Sequence, residues 1–443
     1  FYTNVIVHID LKGAPPKAGY FLQLLELTAK SGATGVLIEW EDMFPWNGEL
    51  EIVRSTNAYK ISEVQGILRK ARNLGLEVIP LVQTFGHMEW ILKHEKFRAL
   101  RENDNYPQVI CIGNENSVKL VKKIISQVVN VHKPFGIKRF HIGADEGFQF
   151  GVCNESQKLA RRLGSSTQLA IEYLGTIANY VKNITNGATI LAWHDMIKQF
   201  IISGEVLSKL GTLLQPVIWD YSEELETMST EDFLAFADNF PKMWASSAFK
   251  GANTPSSKYM DYEHYQKNNL QWITTQRLLR YNSGLAFEGM IITGWSRYDH
   301  MARLCEILPI GTPSMVLNTQ IALIGAHKTL ETSTVTAIVR KATNEAVRIL
   351  NCDSKEGYFF EFQLNRCNFP GVEVYKTFQI IWRLNEKRIE EIIEKDQHIM
   401  GWLSPYNIRH NVSQKWYLSQ IAAKLDAWLY ILPPVAKSLE AAI

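Results

Sequence analysis

The sequence predicts an α/β protein, a (β/α)8 TIM barrel followed by an α-helical C-terminal region. Between residues 4 and about 300, short apolar runs alternate eight times with longer segments of helical periodicity. These runs are apolar throughout, as in strands of a parallel sheet that are buried on both faces. Acidic and aromatic residues follow the runs, and the carboxyl ends of the strands are where such barrels carry their functional groups.

The composition fits a folded protein large enough for a barrel of about 250 residues and a further region. Of 443 residues, 46% are hydrophobic and 21% are charged, and the net charge is +2. This charge offers no electrostatic reason to expect a nucleic-acid partner or an anionic membrane surface. No apolar run reaches the ~18 residues that a transmembrane helix needs. The sequence therefore predicts neither nucleic-acid nor membrane binding.

The five cysteines are scattered without CxxC spacing. An odd, sparse set argues against a disulfide framework and against a zinc site, and it predicts a cytoplasmic or nuclear protein. The first residue is Phe rather than Met, so a removed signal peptide and secretion stay open alternatives. We expect no metal and no cofactor.

Each element of the barrel follows from periodicity and turn signals. Strands are predicted at 5–9, 36–39, 78–82, 138–142, 189–193, 215–219, 242–246 and 289–293. Helices are predicted at 17–31, 62–74, from Ser117, 155–184, 203–211, 229–239 and 258–281. In the helix at 62–74 the apolar residues share one face, and Ser62 with Gln65 predicts a capping box.

The last third of the chain has no strand pattern. Helices are predicted at 313–352, 373–400 and 413–432, with a loop at 353–372. We therefore divide the chain into a catalytic barrel at 1–325 and an α-helical region at 326–443 that packs on it. The long helices are candidates for a homodimer contact, and packing under the barrel is the alternative.

The residues after the predicted strands are mostly acidic or aromatic. In chain order they are Asp10, Glu39, His87, Asp145 with Glu146, Trp193, Trp219 with Asp220, Lys250, and Trp295 with Asp299. A single strand-end Asp often only caps the next helix, and a single Trp more often packs than binds. Their convergence at one end of the barrel predicts a hydrolase pocket with acids for proton transfer and aromatic surfaces for stacking.

The segment from His141 to Glu146 reads His-Ile-Gly-Ala-Asp-Glu and resembles the H-x-G-x-D-E signature of glycoside hydrolase family 20. Four further stretches resemble the same family, at 8–16, 41–45, 81–89 and 293–300. The resemblance implies an exo-acting, retaining β-N-acetylhexosaminidase that removes terminal GalNAc or GlcNAc from glycans or glycoconjugates. It also implies substrate-assisted catalysis through an oxazolinium intermediate rather than an enzymic nucleophile.

The resemblance assigns roles to individual residues. Glu146 is implied to be the general acid and then the general base, while Asp145 orients the acetamido group and Tyr221 donates a hydrogen bond to its oxygen. His87, with Asp42 or Glu41, resembles a pair that supports the catalytic Glu. The walls and floor around the sugar are implied to be Trp193, Trp219 and Trp295.

The sequence departs from the family pattern at two points. Larger members carry an arginine before the first strand that grips the sugar 3- and 4-hydroxyls, and residues 1–4 have none. Their last strand ends in Trp-x-Glu, whereas this chain has Trp295-Ser296-Arg297. Hydroxyl recognition is therefore expected from other groups, and the candidates are Glu39, Asp10, Arg297 and Asp299.

Two alternatives stay open. One is a metal-dependent barrel hydrolase that uses His87, His141 and the acids, although no HxH or HExxH spacing supports it. The other is a non-catalytic glycan-binding barrel, against which stands the presence of Asp145, Glu146 and Tyr221 together.

Overall fold

The computed structural model describes residues 2–204, 207–325, 334–353, 360–384, 400–401, 404–410 and 415–442. The strands are β1 (Asn4–Asp10), β2 (Gly35–Glu39), β3 (Glu77–Leu81), β4 (Arg101–Asn103), β5 (Tyr106–Ile110), β6 (Arg139–His141), β7 (Thr189–Trp193), β8 (Leu214–Trp219), β9 (Trp244–Lys250) and β10 (Gly289–Gly294). Eight of them close a parallel barrel in the order β1-β2-β3-β6-β7-β8-β9-β10, with β10 paired to β1. The predicted TIM barrel and its eight strands are confirmed. The hairpin of β4 and β5 was not predicted.

Helices alternate with the strands along the first part of the chain, and the rest of the described chain adds further helices. They are α1 (Ala18–Lys30), α2 (Ile61–Asn73), α3 (Glu89–Leu92), α4 (Glu115–His132), α5 (Asn154–Leu163), α6 (Ser166–Ile184), α7 (Asp195–Ile202), α8 (Ser208–Gly211), α9 (Thr230–Asn239), α10 (Tyr262–Ser283), α11 (Leu308–Gly325), α12 (Val335–Ile349), α13 (Phe360–Gln363), α14 (Val372–Leu384), α15 (Pro405–Arg409) and α16 (Lys415–Ala442).

Three helix predictions need correction. The segment 155–184 forms two helices, because Gly164 ends α5 at φ 103° and the Ser165 hydroxyl accepts from the N–H of Gln168 to begin α6. The single helix at 203–211 is wrong, since α7 begins directly after β7 and only α8 lies in that range. At α2 the cap is two residues earlier than predicted, where the Glu63 carboxylate accepts from the Lys60 N–H at 2.7 Å.

Apolar side chains fill the inside of the barrel. A continuous buried cluster takes one or two residues from each of several strands, namely Ile6, Leu37, Ile79, Leu81, Leu191, Trp193, Val217, Trp244 and Ile291. Trp219 and Trp295 pack against this cluster and are less buried. The barrel is therefore a packed core rather than a pore, and its upper layer supports the strand ends.

The described chain forms two compact units, Phe1–Leu364 and Asn365–Ile443. The first unit extends past the predicted boundary at residue 325, because α12 packs against α11. In the second unit α14 and α16 confirm parts of the helices predicted at 373–400 and 413–432, while 385–399 lie outside the described residues. The loop predicted at 353–372 contains α13 and a short 3-10 turn. Packing of a C-terminal region on the barrel and a homodimer contact stay predictions.

The prediction that the cysteines form no disulfides is wrong. Cys111 and Cys153 are bonded across 42 residues of sequence, Cys352 and Cys367 are each in a disulfide, and Cys305 is free. Spacing does not reveal these bonds because the fold brings together cysteines that are far apart in sequence. Disulfides persist in oxidising compartments, so the predicted cytoplasmic or nuclear location no longer rests on the cysteines. Among the described helices we find none that combines the length and apolarity needed to cross a bilayer.

Candidate active site

An open cavity of about 580 Å³ lies at the carboxyl ends of the strands. It is lined by Lys12, His87, Asp145, Glu146, Trp193, Trp219, Tyr221, Gly251, Ala252, Trp295 and Tyr298. Seven of these were predicted from the sequence as site residues, and they come from the ends of five different strands. The structure thus brings the main predicted group into one pocket.

The loop after β6 carries the two acids in a strained backbone. Ala144 and Glu146 adopt positive φ angles of 71° and 47°, which non-glycine residues rarely do. Gly143 has a positive φ of 65°, and a Cβ atom there would lie 1.9 Å from the Gln83 amide oxygen, so a larger residue would strain the backbone and displace that side chain. The N–H of Glu146 donates to the carboxylate of Asp195 at 2.8 Å and thereby ties the strained loop to the end of β7. Such strain persists only where surrounding contacts hold it, and it is concentrated at functional sites.

Asp145 and Glu146 differ in their exposure. The side chain of Asp145 is 8% exposed, and that of Glu146 is 44% exposed. The two acids therefore meet the cavity at different depths, with Glu146 nearer the open mouth.

His87 joins the two acids. Its Nε2 lies 3.3 Å from the Asp145 carboxylate and 3.1 Å from the Glu146 carboxylate. Burial by itself would lower the pKa of His87, but Asp145 and the hydrogen bonds to both acids outweigh this effect and raise the pKa well above its usual value. The raised pKa favours the protonated imidazole, which contacts both acid side chains at once.

The loop that carries His87 is close-packed against the acidic loop. A Cβ atom at Gly86 would lie 2.1 Å from the Asp145 carbonyl oxygen, so this position also requires glycine. His87 itself has a positive φ of 52°. The distance between His87 and the acids is thus set by backbone contact between the two loops.

Aromatic side chains form the opposite wall and the floor. The rings of Trp219 and Tyr221 stack with centroids 5.4 Å apart, and Trp193 lies 5.8 Å from Trp295. The Trp295 indole donates to the Tyr221 hydroxyl at 3.1 Å, and the Trp219 indole donates to Asp195 at 3.3 Å. Burial raises the pKa of Tyr221, so its phenol stays protonated.

Four predicted hydroxyl-binding residues do not line the cavity. Asp10 accepts from the Lys12 and Ser296 N–H groups and so joins the loops after β1 and β10. Glu39 is 1% exposed, and although burial would raise its pKa, Lys12 and His8 lower that pKa to about 2. The other two are Arg297, which contacts His300, and Asp299, which accepts from the Met301 N–H.

The predicted partnership of His87 with Asp42 or Glu41 also differs from the structure. Glu41 instead lies 2.8 Å from Nδ1 of His300, whose Nε2 contacts Lys93 at 2.7 Å. The charges that raise the pKa of His87 come from Asp145 and Glu89, and Glu146 adds a hydrogen bond. Sequence spacing could not show this, because it records no distances between side chains that lie in different loops.

Three residues that the structure places at the site were not predicted from the sequence. Lys12 and Tyr298 line the cavity, and Asp195 holds the Glu146 backbone. Burial, followed by the charge of Asp145, raises the pKa of Asp195 to about 7. Lys12 follows Asp10 by two residues, so its place at a strand end was the available signal.

The raised pKa of His87 leads to a pH-dependent stability. A group that holds its proton more tightly when folded stabilises the protein fully below its unfolded pKa, about 6.5, and loses this effect as pH rises through the folded pKa. We therefore expect wild type to exceed His87→Gln in free energy of unfolding by more at pH 6 than at pH 9, measured by urea denaturation. His410→Gln, an exposed change, should stay within about 0.5 kcal/mol of wild type at both pH values. A gap for His87→Gln that widens with pH would contradict the assignment.

Comparison with known proteins points to one family. The model for the catalytic domain of glycosyl hydrolase family 20 matches residues 25–294. Hexosaminidase D from Homo sapiens is 33% identical over 443 residues, which cover 99% of this chain and 87% of that protein. Hexosaminidase D from Bos taurus is 38% identical over 325 residues, which cover 72% of this chain and 92% of that protein.

The fold also resembles that of a solved enzyme of this family. The solved structure of a family 20 exo-β-N-acetylglucosaminidase from Vibrio harveyi, in complex with N-acetylglucosamine, matches with a TM-score of 0.54 at 13% identity. The match covers 79% of this chain and 58% of that one, and it concerns the fold alone. The family match extends over more than half of the chain and includes the loop of Asp145 and Glu146. The chain is therefore a glycoside hydrolase and belongs to glycoside hydrolase family 20.

Proposed function

We propose that this protein is an exo-acting, retaining β-N-acetylhexosaminidase that removes terminal non-reducing GlcNAc or GalNAc from glycans or glycoconjugates. The observation that carries this proposal is the single pair of adjacent acids in the cavity. Among the described residues, Asp145 and Glu146 are the only carboxylates that line it. Retaining enzymes with an enzymic nucleophile place two carboxyl groups on opposite sides of the bond, about 5–5.5 Å apart. Two acids on consecutive residues, held by one histidine, favour a nucleophile supplied by the substrate.

The reaction divides between the two acids. The acetamido oxygen of the substrate attacks the anomeric carbon, the glycosidic bond breaks, and Glu146 gives its proton to the leaving oxygen. Water then attacks the anomeric carbon of the oxazolinium ion, Glu146 takes the proton of that water, and the bond from the anomeric carbon to the acetamido oxygen breaks. The acetamido group is restored, and the sugar leaves with its configuration retained. The greater exposure of Glu146 supports its role, because the leaving group departs through the open mouth.

Asp145 and Tyr221 hold the acetamido group. The buried carboxylate of Asp145 accepts from the amide N–H and offsets the positive charge that develops on nitrogen. The Trp295 indole donates to the Tyr221 oxygen and orients the phenol, whose own proton donates to the acetamido oxygen of the bound substrate. The rings of Trp193, Trp219 and Trp295 exclude water around the sugar and the acetamido methyl group.

Hydrolysis of aryl β-N-acetylglucosaminide and aryl β-N-acetylgalactosaminide, with and without a chelator, tests this proposal against both alternatives. We expect release of the aryl group at equal rates in the presence and absence of chelator. Loss of activity with chelator would favour the metal-dependent hydrolase, and a folded protein without activity on either substrate would favour the glycan-binding barrel.

A further inference from the structure

A lysine ammonium group lies in the wall of the cavity, where it was not expected. Lys12 is only 2% exposed, yet it lines the cavity just beyond the end of β1. A charge removed from water is costly unless partners compensate it, so its position requires an explanation.

Two carboxylates hold this ammonium group in place. The Lys12 Nζ lies 3.2 Å from Asp10 and 3.1 Å from Glu39, and 4.9 Å from the centre of the Trp295 ring. Burial would lower the pKa of Lys12, but the charges of Asp10, Glu39 and Glu41 outweigh this effect and raise it. Lys12 is thus protonated and fixed in direction by a pair of ionic contacts.

One donor of the ammonium group is left for the cavity. An ammonium group has three N–H donors, and within the described part of the chain its hydrogen-bonding partners are two carboxylate oxygens. The Trp295 ring, with its centre 4.9 Å away, contacts the charge and accepts no hydrogen bond. Lys12 lines the cavity, while Asp10 and Glu39 do not. At this end the cavity is therefore lined by the Lys12 hydrogen-bond donor, and the carboxylates of Asp10 and Glu39 lie outside the lining.

Lys12, Asp10 and Glu39 form a charged cluster, and its net charge indicates which kind of ligand group can accept the remaining Lys12 hydrogen bond. Two carboxylates exceed one ammonium group, so the cluster carries no excess positive charge to attract a phosphate or sulfate. A neutral oxygen with a free lone pair, such as a sugar hydroxyl, is the acceptor that fits.

We propose that Lys12 is a specificity-determining residue that binds the hydroxyl groups at C3 and C4 of the terminal hexosamine. This inference rests on the proposed function, which puts C1 at Glu146 and the C2 acetamido group at Asp145 and Tyr221. On a pyranose ring C4 lies across from C1, and C3 lies between C4 and C2, the ring carbon that carries the acetamido group. Trp295 contacts both Tyr221 and Lys12, so the edge of the ring beyond the acetamido group extends toward Lys12.

Deoxy substrates test this role even if a variant folds poorly. The aryl β-N-acetylglucosaminide and its 3-deoxy, 4-deoxy and 6-deoxy analogues are compared on wild type and Lys12→Met by kcat/KM. On wild type we expect the 3-deoxy or the 4-deoxy analogue to lose roughly 10- to 100-fold, as for a hydrogen bond to a charged group. On Lys12→Met that loss should shrink to less than about threefold, while the 6-deoxy analogue should behave alike on both proteins.

Lys250→Met is the matched control. Lys250 is a buried lysine that donates to the Trp295 carbonyl and does not line the cavity. Its replacement should lower kcat/KM evenly for all four substrates and leave their ratios as in wild type.

Two results would overturn the inference. One is a wild type that hydrolyses the 3-deoxy and 4-deoxy analogues as well as the parent substrate. The other is a Lys12→Met protein that keeps the wild-type ratios. If wild type does not hydrolyse the parent substrate at all, it is the proposed function that fails.

Discussion

Replacement of Glu146 by Gln should lower turnover of an unactivated β-N-acetylhexosaminide by about 10²–10⁴-fold, the usual contribution of general acid–base catalysis. The amide keeps the shape of the side chain and removes the proton that the leaving oxygen needs. The Glu146 carboxylate also lies 3.1 Å from Nε2 of His87, so the amide keeps a polar group at that contact. Initial rates of the purified variant, measured beside its thermal unfolding, check the prediction.

The leaving group provides a sharper test of the same role. An aryl group of low pKa leaves without protonation, so Glu146→Gln should lose much less in bond cleavage on such a substrate than on an unactivated one. Glu224→Gln, an exposed change in the loop after Tyr221, should keep full activity on both. A Glu146→Gln protein with near wild-type turnover on the unactivated substrate would remove Glu146 from the mechanism.

The substrate's acetamido group should carry the largest effect. Replacement of this group by a hydroxyl removes the internal nucleophile, and well-oriented intramolecular groups reach effective molarities of about 10⁵–10⁸ M. We expect kcat/KM for the plain aryl β-hexoside to be lower by at least about 10³-fold. The measurement compares the two aryl glycosides on wild type at the same pH.

Asp145→Asn tests whether the rate difference between the acetamido substrate and the plain hexoside depends on Asp145. Asp145 should act mainly through the acetamido group, so the variant should lose more rate on the acetamido substrate than on the slow hydrolysis of the plain hexoside. The difference between the two substrates should therefore shrink. Comparable rates on both substrates with wild type would exclude assistance by the substrate, and an unchanged difference in Asp145→Asn would remove Asp145 from that role.

The periodicity of the sequence predicts the barrel well because each strand is buried on both faces. Residues 189–193 and 289–293 are predicted within one residue of β7 and β10, since apolar runs between turn signals have few other folds open to them. Irregular segments are harder to predict. Strand β6 is only three residues long, and the chain then turns through Gly143 and Ala144 at positive φ. The turn at Gly143 packs against Gln83, which is distant in sequence.

The barrel and the family follow from the amino-acid sequence, and so does the presence of Asp145, Glu146, His87 and the aromatic residues at one end. Parallel strands share a direction, so the residues that follow them must meet at one rim whatever the loops do. Which residues at that rim face the cavity depends on the three-dimensional packing of the loops. Lys12 faces it, while Asp10 and Glu39 lie behind Lys12 as its counter-charges. The contact of Asp10 with Ser296 joins residues 286 positions apart, and pairing between charges depends on distances in space that no local pattern records.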